Sequence, residues 1–165
     1  PPGVFGGLYL TSAHGPLLFS ATFLGIMQAA YTYTLDYLTG GAPGAPLKGQ
    51  IAPAIGSNVS EMLCRLEAAR ALYYRSISEA KLQPTHEIRQ RARAAHLTIQ
   101  RAVVEVAQEA IRVCGGRALL KKHPLERFLR DAQAASVMRP WTREIATQAT
   151  WESAIEHFRK KNNMQ

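Results

Sequence analysis

The chain has 165 residues, 47% hydrophobic and 19% charged, which is enough for one domain with a real core and excludes a disordered protein. The formal charge is +8, from 20 Lys+Arg against 12 Asp+Glu. Such an excess suits a polyanion, whether nucleic acid, an anionic membrane or a phosphate-bearing cofactor, and is equally compatible with a plain basic surface. The two cysteines, Cys64 and Cys114, lie in no CxxC and near no His pair. A zinc site is therefore not expected, and both are predicted to be buried free thiols in a reducing, cytoplasmic compartment.

Residues 1–12, PPGVFGGLYLTS, are rich in Gly and Pro and then mildly strand-like at Leu8–Leu10. They are expected to be a linker or the tail of a preceding domain, with no secretory signal, and residues 13–165 to form one helical domain. The first helix is predicted from about Ala13 to Leu38. Its stretch Gly15–Leu35 carries no charge. The polar Ser20, Thr22, Gln28, Thr32 and Thr34 and the lack of flanking Lys or Arg argue for burial in a bundle or subunit interface rather than membrane insertion.

After the loop Gly40–Gly49, a second helix is predicted over about Ile51–Lys81, with Ile55, Val59, Met62, Leu66, Ala69, Tyr73 and Ile77 inward. The third runs beyond Pro84 to about Val113, with Ile88, Ala92, Ala95, Ile99, Val103, Val106 and Ala110 inward. At about 45 Å each, two such helices joined by a short turn predict an up-down arrangement. Gly115-Gly116 ends the third helix, and Pro124 starts a fourth that runs to Met138 and buries Leu125, Phe128, Leu129, Ala132 and Ala135. A last helix is predicted over about Pro140–Lys160, with Ile145, Ala149, Trp151, Ile155 and Phe158 inward. The fold class is all-α: an antiparallel up-down four-helix bundle with an additional C-terminal helix.

No metal motif, GxxxxGK[ST], GxGxxG or GxSxG is present. His14, His86, His96, His123 and His157 are scattered and are expected to be surface or capping histidines. Arg89, Arg91, Arg93 and Arg101 could track a phosphate backbone, but alanines rather than aromatics lie between them. A solvated face is the better reading, and no nucleic acid partner is expected.

The segment AIRVCGGRALLKKHPLERFLRDA, together with LGIMQAAYTYTLDYL and LEAARALYYRSISEA, resembles the C-terminal helical domain of the acyl-CoA dehydrogenase superfamily. The resemblance covers about Ala13–Trp151. It implies a part of an FAD-dependent oxidoreductase acting on an acyl-CoA, assembled as a homo-dimer or homo-tetramer through the bundle. The first helix is the candidate interface. It also implies that Gly115 and Gly116 lie against the FAD of a neighbouring subunit, with Arg112 and Thr142 as further cofactor contacts.

The departures bear on mechanism. Arg139 falls where a family member commonly carries its catalytic Glu, and a guanidinium does not act as a general base near neutral pH. The other usual location, on the first helix, is near Gly15, and no acid occurs from Ala13 to Leu35. No catalytic residue is therefore assigned. Arg112 and Glu144 stand where Gln is common, and Pro53 stands where a flavin-contacting Gln is expected, with Gln50 a turn earlier. These changes are similar to the flavin-dependent monooxygenase branch, and also fit a subunit whose partner supplies the base. A non-enzymatic helical interaction domain is the reading from a different class.

Overall fold

The computed structural model describes residues 15–43, 45, 52–139 and 141–162, with Pro16 described by its backbone alone. The expectations for residues 1–12, His14 and Gln50 lie outside these. Among the described residues there are five α-helices: α1 (Gly15–Leu38), α2 (Pro53–Ser78), α3 (His86–Cys114), α4 (Pro124–Val137) and α5 (Arg143–Lys161). A single 3-10 turn, Gly116–Leu119, joins α3 to α4. The chain is all-α, as its periodicity predicts. No helix of the described residues is long and apolar enough to cross a membrane.

Cross-helix contacts fix the directions. Ser20 Oγ lies 3.0 Å from His96 Nδ1 near the start of α1, and Tyr33 OH lies 3.1 Å from His123 Nδ1 near its end, so α1 runs with α3. Arg65 meets Glu105 at 2.9 Å and Arg91 meets Glu79 at 2.7 Å, so α2 runs against α3. After the 3-10 turn α4 returns along the C-terminal half of α3, and its Ala135 carbonyl meets Gln100. Then α5 continues along the N-terminal half, with Thr150 bonded to Gln90 and His157 on His86.

Helix α3 is the spine and packs against each of the other four helices. Its predicted stripe, Ile88, Ala92, Ala95, Ile99, Val103, Val106 and Ala110, is buried throughout. So are Ala102 and Ala107, which turn a second side of α3 inward. Five alanines on these faces let neighbouring helix axes come near the lower end of the ~8–10 Å packing range. Thr85 starts the helix by accepting the Ile88 N–H at 3.3 Å. Helix α1 turns Leu17, Ser20, Phe23, Met27, Ala30, Thr34 and Tyr37 inward at threes and fours. Burial thus accounts for the apolar row on one side of α1, while Leu18 and Leu35 remain exposed on the other, with no charge until Asp36.

Several expectations need correction. On α2 the buried row is Met62, Leu66, Ala69 and Ser76, and Ile77 is exposed. The alternation of fours and threes continues from Tyr73 to Ser76, one residue before Ile77. Ser76 donates its hydroxyl to the Leu72 carbonyl at 2.8 Å, which removes the cost of burying it. On α5 the inward set holds only at Ala149. Ala146 is buried, with Ala149, Thr150, Ser153 and His157 partly buried beside it, while Ile145, Trp151, Ile155 and Phe158 are exposed. The face towards α3 is chosen by close polar contacts: Arg93 reaches the Ala149 carbonyl at 3.0 Å and Gln90 the Thr150 carbonyl at 3.3 Å. Only small side chains let these arms reach the α5 backbone. Helix α5 also begins at Arg143 rather than Pro140, because Thr142 supplies the cap by accepting the Ile145 N–H at 3.4 Å.

Of the cysteines, Cys114 is buried and Cys64 exposed, and both are free. Burial pushes the Cys114 thiol up to about 11, which suits a packing residue. His96 and His123 are buried, contrary to the expectation of surface or capping histidines, because each places a ring nitrogen against a hydroxyl of α1. The arginines of α3 are largely occupied within the domain: Arg89 donates to the Pro84 carbonyl at 2.6 Å, Arg91 pairs with Glu79, and Arg93 holds α5.

Two measurements follow from this packing. Met27→Ala is expected to cost about 2–5 kcal/mol in urea unfolding, since Met27 is fully buried, whereas Leu82→Ala, at a fully exposed site, should stay within about 0.5 kcal/mol. The rings of His86 and His157 stack at 3.8 Å and 6°. Burial, then the neighbouring His157, holds His86 below its usual range. The folded chain then binds fewer protons at His86 than the unfolded chain, so stability present above about pH 6.5 is lost as pH falls towards the lower folded value. The melting temperature should drop on acidification from neutral pH through that window, and His86→Gln should flatten the slope.

Candidate functional site

The end of α3 sets the geometry of the region that the sequence singles out. Gly115 has φ 81 and ψ 176, a conformation essentially restricted to glycine. Its N–H donates to the Ile111 carbonyl at 2.8 Å, and its carbonyl accepts from Ala118 at 2.9 Å, so the chain leaves α3 directly into the 3-10 turn. Ala118 is buried beneath that turn. The Leu120 N–H reaches Arg117 at 3.1 Å and the His123 N–H reaches Leu120 at 2.8 Å. The ring of His123 then pins the connection to α1 through Tyr33, whose phenol is pushed up, by burial first. The turn is therefore held from beneath by α1 and presents its outer backbone to the surface.

Gly116 differs from Gly115. It does not have a positive φ, and a Cβ built on it meets nothing within 4 Å. Among the described residues, then, neither conformation nor packing requires glycine at position 116. Around the turn the surface is basic. Arg112 is exposed one turn before Gly115 and pairs with Glu109 at 3.1 Å. A shallow hollow of about 400 Å³ beside α4 is lined by Lys121, Lys122, His123, Pro124, Arg127 and Phe128. Bare backbone, a guanidinium and two lysines together suit a phosphate-bearing molecule. No group of three or more His, Cys, Asp or Glu side chains able to hold a metal ion occurs among the described residues.

Arg139 and Thr142 lie elsewhere. Gln100, itself buried, donates one amide nitrogen to the Ala135 carbonyl at 2.6 Å and to the Trp141 carbonyl at 2.8 Å. This clamp fixes the link between α4 and α5, leaving Arg139 exposed on it and Thr142 at the start of α5. Fifteen residues of α3 separate Gln100 from Gly115, a rise of about 22 Å. The structure thus groups Arg112, Gly115 and Gly116 at one end of α3, and places Arg139 and Thr142 near its middle. Sequence reasoning did not find Gln100 or the Tyr33–His123 pair. The available signal was a Gln between the apolar positions Ile99 and Val103 of a buried stripe.

With this geometry in place, comparisons with known proteins identify the family. The family model described as "Acyl-CoA dehydrogenase, C-terminal domain" matches residues 17–139. The chain belongs to the acyl-CoA dehydrogenase family, as its C-terminal helical domain. An acyl-CoA dehydrogenase of Bacillus subtilis (strain 168) is 31% identical over 129 residues, covering 74% of this chain and 32% of the relative. Among solved structures, butyryl-CoA dehydrogenase from Megasphaera elsdenii shares the fold with a TM-score of 0.76 at 22% identity, over 92% of this chain and 39% of that one. PigA, solved with FAD and proline, shares it with a TM-score of 0.72 at 20% identity, over 86% of this chain and 36% of that one. The chain spans about a third of the length of such relatives. The family consists of flavin oxidoreductases, and the match ends at Arg139.

The two glycines separate in their expected responses. Gly115→Ala should lower stability by about 1–3 kcal/mol, since alanine is strained at that φ and ψ. Gly116→Ala should be neutral or stabilising by up to about 1 kcal/mol, as an alanine there has open space. Urea unfolding of both variants checks this.

Proposed function

We propose that this chain is the cofactor-contacting and subunit-contacting helical part of an FAD-dependent, acyl-CoA dehydrogenase-like oxidoreductase. The observation that carries the proposal is Gly116, a glycine with open space above it, on a turn bordered by Arg112, Lys121 and Lys122. The missing Cβ lets a flat or phosphate-bearing group reach the backbone, and the guanidinium of Arg112 is suited to grip a phosphate through two parallel N–H donors. Thr142 keeps a hydroxyl proton to donate while its oxygen caps α5. Arg112, Gly115 and Gly116 lie about 20 Å from Thr142 along α3. One bound FAD would therefore meet these groups at its two ends, or two neighbouring FAD molecules would each meet one group. The second arrangement agrees with a homo-dimer or homo-tetramer in which the glycine turn serves the adjacent subunit. The outer face of α1, uncharged from Gly15 to Leu35, is its candidate contact.

When bound, FAD supplies the acceptor for a hydride from the acyl-CoA substrate. This chain's own part is to bind and orient. No carboxylate stands at Arg139 or on α1 before Asp36, so the base that takes the α-proton is to be sought elsewhere in the protein or on a partner subunit. The exposed Arg139 can anchor an anionic part of a substrate, or serve only as a surface cation.

The deciding measurement is the flavin spectrum of the full-length protein with a panel of acyl-CoAs under anaerobic conditions. Bleaching is expected; uptake of reduced flavin with no response to any acyl-CoA would overturn the dehydrogenase reading in favour of an oxygenase. In the same protein, Gly116→Ala and Arg112→Gln should each weaken FAD retention by about tenfold or more, with the apo form losing no more than about 0.5 kcal/mol of stability, since a lost charge-assisted contact is worth about 1.5–3 kcal/mol and an exposed ion pair far less. The 165-residue chain alone should show no turnover with any acyl-CoA.

A further inference from the structure

Helix α5 presents to solvent a face that the site described above does not use. Trp151 is 56% exposed, Ile155 46% and Phe158 60%. Together with Gln148 they are spaced by three, four and three residues, which places them on one seam of the helix. The seam lies away from Ala146, Thr150, Ser153 and His157, which turn towards α3. A shallow groove of about 450 Å³ follows it, lined by Trp151, Glu152, Ile155, Glu156, Arg159 and Lys160. Three large apolar side chains in register on one helix form a contiguous patch of the kind that marks an interaction surface.

The charges beside the seam indicate what covers it. Glu152 and Arg159 are seven residues apart, two helical turns, and therefore lie on the same flank. Placed against a copy of itself running in the opposite direction, α5 sets Glu152 level with Arg159 of the second copy, and its own Arg159 level with the second copy's Glu152. That register also interleaves the apolar residues along the seam. Trp151 is followed by Phe158 of the second copy, then Ile155, then Ile155 of the second copy, Phe158, and Trp151 of the second copy. No two large side chains compete for one level, Glu152 of each copy meets Arg159 of the other, and Glu156 keeps Lys160 of its own helix at 2.6 Å. A parallel two-fold pairing would set this flank against the opposite flank of the second copy, so Glu152 and Arg159 would not meet.

We propose that a second copy of this chain covers this face, through a two-fold antiparallel pairing of α5 with α5. Such an interface is isologous, so one patch serves both partners. The pairing is distinct from the α1 surface and does not depend on flavin binding. It also accounts for α5 keeping its largest apolar residues outward while packing on α3 through alanine, serine and histidine.

Thiol cross-linking in the full-length protein tests the pairing. With exposed Cys64 replaced by Ser, Ile155→Cys sits beside the two-fold axis, whereas Thr147→Cys, eight residues earlier on the same helix, would lie about 25 Å from its mate in the second copy. A short bis-maleimide is expected to link Ile155→Cys chains to one another about tenfold faster than Thr147→Cys chains. Adding Glu152→Arg should slow that reaction about tenfold, by setting like charges opposite each other, and adding Arg159→Glu to that variant should restore it. All five substituted side chains are exposed, so the fold is retained, as far-UV circular dichroism will confirm. Equal rates at positions 155 and 147 would overturn the proposal and mean that another part of the protein, or solvent, covers the face. Fast cross-linking that ignores both charge reversals would overturn the antiparallel register.

Discussion

The fold depends on burying α3 on several sides at once. A helix of 29 residues that touches every other helix requires small residues wherever another helix must come close, and its charges are confined to the seams between neighbours. Its alanines meet that requirement, and its Ile and Val residues fill the spaces that remain. α1 and α2 each cover much of its length. α4 and α5 divide the remaining side, one on each half, and meet at Gln100. That single amide satisfies the carbonyls of Ala135 and Trp141, where one helix ends and the approach to the next begins. Without the clamp, the link would carry buried carbonyls with no donor, each costing about 1–3 kcal/mol.

The proposed function draws on two regions of this arrangement. At the C-terminal end of α3, a glycine-only conformation at Gly115 turns the chain outward, and the Tyr33–His123 contact holds the following turn against α1. A rigid, bare stretch of backbone with cations around it is the result. Near the middle of α3, the Gln100 clamp fixes the segment that carries Arg139 and Thr142. The two regions share a spine but not a pocket, which is why the chain resembles a component of an active site assembled with other parts rather than an active site in itself. The relatives, about three times as long, agree with that division.

Periodicity revealed most of the architecture. The α3 stripe, the glycine pair and Pro124 located helices and boundaries closely, because a strong apolar repeat and a backbone-restricted residue act locally. The family resemblance rested on the CGG and PLERFLRDA segments, which combine such a turn with the start of α4. The readings that failed had a common cause. Ile77 lost its place to Ser76 by a shift of one residue, and the α5 face was set by arginine, glutamine and histidine arms from α3 rather than by its own apolar residues. His96 and His123 found hydroxyl partners 76 and 90 residues away, a pairing that no local pattern encodes.

The amino-acid sequence by itself determined the class of fold, the approximate span of each helix, the position of the turn and the absence of a carboxylate at Arg139, since each depends on local propensity or on residue identity alone. Tertiary structure decided which side of each helix is buried when apolar residues occur on more than one side. It also decided that Gly115 is required by backbone conformation while Gly116 is not, and that Thr142 lies far from the glycine turn. These depend on how α3 meets its neighbours in space, where long-range hydrogen bonds and close helix contacts outweigh the hydrophobic preference of any one segment.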